Sequence, residues 1–181
     1  MHIPHLRAML LAAAASVIAG PAAAHVVLAD PQAKSGGYYA GFFRVSHGCA
    51  PGQATTAFTV TIPDGVASAK PQPKPGWTVE TTRAPLKTPF KAESGATVTE
   101  RVTSITWRGR LPDDEFDQFG VMMKLPQDSG PLYFPAVQAC GAAEVRWDGI
   151  PAAGQAWHDL PHPAPVLNLT GGMDGMAGMH H

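Results

Sequence analysis

Apolar and polar positions along this chain alternate with a period of two far more often than with a helical period. In AFTVTIP (57–63), Phe58, Val60 and Ile62 alternate with Thr59 and Thr61. That pattern predicts a strand with one buried face and one wet face. WTVET (77–81) alternates in the same way, with Trp77 and Val79 on one side and Thr78 and Glu80 on the other. FFRVSH (42–47), FGVMMKL (119–125), PLYFPAVQAC (131–140) and EVRW (144–147) read as further strands. TVTERVTSITWRG (97–109) is long and shifts its alternation midway, which predicts a β-bulge. No helical stripe persists over three turns. Turn signals such as Pro63-Asp64-Gly65 and Pro75-Gly76 fall between the strands, so the pattern predicts an all-β antiparallel sandwich. The Pro-rich KPQPKPG (70–76) reads as a stiff connector inside one domain.

The two ends of the chain do not follow this pattern. Residues 1–24 carry one fixed positive charge, Arg7, then the apolar run MLLAAAASVIAG and the small-residue end Ala22-Ala23-Ala24. This is the layout of a secretory signal cut after Ala24, and the run is too short for a membrane anchor. Removing 24 of the 181 residues leaves 157, one domain's worth. The formal charge moves from −1 to −2, because Arg7 is lost and no acidic residue is. Such a balance gives no reason to expect nucleic acid or an anionic membrane surface as partner. From Leu160 the composition changes again. PHPAPVLNLT has room for at most one edge strand, and GGMDGMAGMHH can bury nothing. The predicted organisation is a signal peptide (1–24), a β-sandwich (25–160) and a disordered tail (161–181).

The two cysteines, Cys49 and Cys140, take their meaning from the predicted compartment. After export they are expected to pair, closing a loop of about 90 residues worth on the order of 4 kcal/mol in the chain-entropy model. The other reading is a pair of thiolate metal ligands.

Candidate chemistry is sparse. The chain has no G-x-S-x-G, no H-E-x-x-H and no phosphate-binding Gly loop. The carboxylates of PDDEFDQF (112–119) read as a solvated acidic turn. Cleavage after Ala24 makes His25 the first residue, and it then offers its α-amine and ring Nδ1 to one metal ion. With reference pKa values near 8 and 6.5, both nitrogens can yield a proton to a metal at neutral pH. Nitrogen with carboxylate in tetragonal geometry suits Cu(II). In the tail, Met173, Met176 and Met179 recur at every third residue before His180 and His181; thioethers favour Cu(I), and imidazole serves either state. His47, in SHGC, reads first as local structure, and His158 and His162 read as solvated. Trp77, Trp107, Trp147 and Trp157 read as packing residues.

Taken in order, HVVLADP (25–31), TTAFTVTIPDGV (55–66), KPGWTVE (74–80), ITWRGRLPDDEFDQF (105–119) and LYFPAVQACGAAEVRWDG (132–149) resemble the YcnI-like copper-binding domain of exported bacterial proteins. The resemblance spans roughly residues 25–150. It implies an immunoglobulin-like β-sandwich that binds Cu(II) through a single-histidine brace. By that resemblance His25 supplies amine and ring nitrogen, Glu80 of GW-x-x-E supplies a carboxylate, and Trp147 of VRWDG lies near the metal. The SHGC and QAC stretches depart from simpler members, which makes His47 a candidate further ligand.

The function this favours is periplasmic Cu(II) binding and delivery without catalysis. Copper is the ligand, other periplasmic copper chaperones or a membrane copper transporter are the expected partners, and the Met/His tail is an auxiliary Cu(I) site. Two rivals stand beside it. One is a copper-dependent oxidative enzyme, which would need a second internal histidine on the metal. The other is a metal-free adhesion or assembly module.

Overall fold

The computed structural model describes residues 25–92 and 95–171. The predicted signal peptide and the Met/His stretch from Met173 to His181 lie outside the described residues. Two sheets carry the fold. One has four strands in the order β1 (Val27–Leu28), β3 (Tyr38–Val45), β8 (Asp117–Lys124) and β5 (Ser68–Pro71). The other has five, in the order β11 (Ala143–Trp147), β10 (Ala136–Cys140), β4 (Thr55–Thr61), β7 (Thr97–Leu111) and β6 (Thr78–Lys91). Every pairing within these two sheets is antiparallel. The architecture is an immunoglobulin-like β-sandwich, as the sequence predicts.

Alternation decides what fills the space between the sheets. Phe43 and Val45 of β3, with Phe119, Val121 and Met123 of β8, turn inward from one sheet; Phe58, Val60, Ile105 and Trp107 turn inward from β4 and β7. Aromatic rings bridge the layers, with Phe58 4.9 Å from Phe119 and Phe119 5.4 Å from Trp107 between centroids. Burying each such side chain contributes roughly 1.5–3 kcal/mol relative to exposure. Trp77 lies edge-on to Phe119 at 5.0 Å and covers Gly109, where a Cβ would strike its ring. The bulge predicted within residues 97–109 is present. Thr82 pairs with Ser104 and Arg83 with Val102, leaving Thr103 as the extra residue of β7.

Three features depart from the sequence reading. PLYFPAVQAC is not one strand: β9 (Gly130–Tyr133) and β10 belong to different sheets and are separated by Phe134-Pro135. A third small sheet has the order β2 (Gln32–Lys34), β12 (Val166–Thr170), β9, and its β2–β12 pair is parallel. The Pro-rich stretch after Leu160 therefore supplies a central strand, not an edge. Leu167 and Leu169 of β12 are buried in the core, so the folded unit continues to Thr170 and does not stop at residue 160. No helix among the described residues is long and apolar enough to cross a membrane.

Candidate metal centre

His25 is held at the start of the described chain by the residues that follow it. Val26 and Leu28 are buried at 2% and 3% exposure. Strand β1 pairs Val27 with Arg44 and Leu28 with Phe43, and Ala29 N–H donates to the Phe42 carbonyl at 2.9 Å. Carried two residues further, that register sets His25 opposite Ser46, beside His47. The segment beginning at His25 and the SHGC loop thus lie together at one edge of the four-stranded sheet.

The facing edge of the five-stranded sheet brings Trp147, the last residue of β11, which is 3% exposed. Three imidazoles stand edge-on around its indole. Ring centroids are 6.0 Å away for His25, 6.1 Å for His47 and 5.1 Å for His162, at interplanar angles of 81°, 68° and 83°. Trp157, in a 3-10 turn (Trp157–Asp159), lies 5.3 Å from the His25 ring. The segment carrying His162 is tied back to β11: Gly149 N–H donates to the His162 carbonyl at 3.0 Å, and Ala164 N–H donates to the Gly149 carbonyl at 2.8 Å. Trp157 Nε1–H donates to the Ala164 carbonyl at 2.7 Å. An open cleft of about 550 Å³ bordered by Glu144, Arg146 and Leu160 leads to His162.

A fully buried glutamine organises this corner. Gln138 Nε2 donates to the His47 carbonyl at 2.6 Å and to Thr55 Oγ1 at 2.7 Å, while Gln138 Oε1 accepts the Trp147 indole N–H at 3.2 Å. Two residues further along the SHGC loop and β10, Cys49 and Cys140 form the expected disulfide, 91 residues apart in sequence. This excludes the thiolate-pair reading. Gly48, between His47 and Cys49, is required by space, since a Cβ there would collide with the Gln53 carbonyl. Asp113, from the acidic turn, accepts Gly52 N–H at 2.7 Å and fixes the far side of the same loop.

Burial lowers the His25 pKa from its ordinary value, and the nearby His162 and His47 lower it further. Its Nε2 is buried without a hydrogen-bond partner among the described residues. His25 is accordingly a neutral imidazole at neutral pH, and neutral imidazole is the form that binds metal. Its backbone nitrogen is an amide in the chain as translated and becomes an amine only when the bond to Ala24 is cut.

Glu80 is not part of this cluster. The row Trp147, Ala136, Val60, Ile105, Thr81 crosses the whole five-stranded sheet. Four strand spacings put the two ends about 19 Å apart. Glu80 sits on the other face of that sheet as well. It pairs across with Thr106, is 64% exposed, and its Oε2 lies 3.4 Å from Arg108 Nε. Alternation predicts correctly that Glu80 leaves the core; it leaves on the face and at the edge away from Trp147. The single-histidine brace with Glu80 therefore does not fit this chain. Among the described residues, no three His, Cys, Asp or Glu side chains converge closely enough, as placed, to hold an ion. A groove of about 370 Å³ lined by Lys70, Arg83 and Phe90 also lies between β5 and β6, at the sandwich edge away from these groups.

Sequence reading misses Gln138, Trp157 and His162 as members of the site. Gln138 lies within the QAC stretch, yet only its burial reveals its role. His162 looks like loop surface until the β11 contact is seen.

No curated protein matches the chain. A crystal structure of an uncharacterized protein from Nocardia farcinica, reported to have an immunoglobulin-like fold, is similar at 33% identity, with a TM-score of 0.59. The match covers 80% of this chain and 97% of that one. Residues 25–169 match the family described as Domain of unknown function (DUF1775), so the match begins at His25 and ends within β12. The chain belongs to the DUF1775 family.

Proposed function

We propose that the exported, processed protein binds Cu(II) at His25 and serves in copper handling as a storage or delivery protein. The observation that carries this reading is His25 itself. It is the residue at which the family match begins, and it sits against two tryptophans with a partially buried, neutral ring. Freed by cleavage, its amine and Nδ1 form a chelate on one ion, and Trp147 and Trp157 limit the approach of water. Copper is the cargo in this reading, and no step of catalysis is assigned to it. Residues 173–181 add thioethers and imidazoles suited to Cu(I) capture.

Equilibrium titration with Cu(II) tests the proposal directly. The protein beginning at His25 is compared with His25→Ala and with a form that keeps one extra Met before His25. Both changes remove the chelate, so both should weaken binding strongly. Equal affinity in all three refutes the site. The copper-loaded protein is then given reductant and peroxide with a polysaccharide; turnover would overturn the non-catalytic part.

A further inference from the structure

We infer that copper at His25 is completed by the imidazoles of His47 and His162, making a three-histidine centre around Trp147 in place of a histidine–carboxylate one. This rests on the copper reading proposed above and concerns the identity of the remaining ligands.

Four histidines fall within the described residues, at 25, 47, 158 and 162. Three of them stand edge-on to the same tryptophan, within 6.1 Å of its ring centroid. They come from segments far apart in sequence, so local chain geometry does not explain their meeting. Each is also supported from behind, as metal-binding histidines commonly are. The His47 backbone is held by Gln138 and lies two residues from the disulfide. The His162 backbone is tied to Gly149, and Trp157 backs the His25 ring. The buried His25 Nε2 has no hydrogen-bond partner among the described residues, leaving that ring without a hydrogen bond at this atom to fix it.

The neighbouring carboxylates are engaged elsewhere. Arg146 takes Asp148 at 3.0 Å and Glu144 at 3.5 Å, and Asp159 lies 3.6 Å from His158. Glu80 is removed by its strand position. As placed, the three rings do not converge on one point, so joint ligation requires the His47 and His162 rings to turn. The Nδ1 of His47 already lies 2.5 Å from the Gly48 carbonyl, so ligation by this ring falls to its Nε2. His162 is exposed and borders the open cleft, so its ring has room to turn. A ligand set of three imidazoles and one amine accepts Cu(I) as well as Cu(II), since imidazole serves both states. That would let the folded site keep its metal through a change of oxidation state.

The test is pulsed EPR on the processed full chain carrying His180→Ala and His181→Ala, loaded with one equivalent of Cu(II). The modulation from remote imidazole nitrogens counts the coordinated rings. We expect three in this background and two in each of His47→Ala and His162→Ala. Affinity in each variant should fall by more than the roughly 10- to 100-fold that loss of an outer partner costs. Circular dichroism of the metal-free variants controls for folding, and the exposed His162 leaves the core intact when replaced. A count of one ring, unchanged in both variants, overturns this inference while leaving the His25 site standing. A count unchanged in only one variant overturns the three-histidine set. Absence of any Cu(II) binding that depends on His25 sinks the parent proposal instead.

Discussion

Replacing Gln138 with leucine should destabilise the protein markedly, although no charge is lost and the volume changes little. Gln138 is fully buried and holds three groups at once: the Trp147 indole N–H, the Thr55 hydroxyl and the His47 carbonyl. Thr55 is fully buried and Trp147 is 3% exposed, so neither recovers its lost bond from water. His47 is only half-buried, and its carbonyl can be hydrated. Two buried groups left unpaired at ~1–3 kcal/mol each give a cost of roughly 2–6 kcal/mol. Part of this is returned because leucine has no amide to desolvate, and we take about 3 kcal/mol as the net. For a chain of this size each kcal/mol moves Tm by about 2–4 °C, so a fall of about 6–12 °C is expected. The assay is thermal unfolding of the disulfide-bonded, metal-free protein for Gln138→Leu, Trp147→Phe and the double variant. Because the residues share a hydrogen bond, the double variant should lose less than the two single losses combined, by about 0.5–3 kcal/mol. A Tm within 2 °C of the parent together with strict additivity would refute the hub.

Two further outcomes follow from the placement of charged groups. Glu80→Gln should leave Cu(II) affinity unchanged and stability within about 0.5 kcal/mol, since its ion pair with Arg108 is exposed; a tenfold loss of affinity on titration would return Glu80 to the site. Because the folded His25 holds a proton less readily than the unfolded one, the unfolded chain binds more protons just below pH 6.5. The stability His25 contributes is therefore complete above pH 6.5 and is lost as pH falls toward the lowered folded value. Urea midpoints across pH 5–8 should show this drop in the parent and a smaller one in His25→Gln, and parallel curves would refute it.

Much of the sandwich is legible from two-residue alternation, because strands such as β4 and β8 have one face against the core and the other exposed or partly so. The short strands β1, β2, β5 and β12 have two to five residues, too few to show a period. Most of β6, TTRAPLKTPFK (81–91), is largely polar and contains Pro85 and Pro89. An edge strand tolerates those residues, and a sequence pattern reads them as loop. At the site, His25 and Trp147 are accessible to sequence reasoning and Glu80 misleads it. Alternation states which face a side chain leaves from; it does not state at which sheet edge its strand lies. The grouping of His47, Gln138 and His162 depends on contacts across 24 to 115 residues of chain, which no local pattern encodes.

The Cys49–Cys140 bond carries a consequence for the thermodynamics of ligand capture. It fastens the loop bearing His47 to β10 on one side, while Asp113 holds Gly52 on the other. Ordering a free segment of that kind at the moment of binding would subtract its lost chain entropy from the affinity. Here the ordering falls on oxidative folding, before any ligand arrives, and an ion bound through His47 as proposed would meet a backbone that has little freedom left to lose. Reduction would move that entropic cost back onto binding, so affinity at this corner should follow the thiol redox state of the compartment even though neither sulfur touches the ligand.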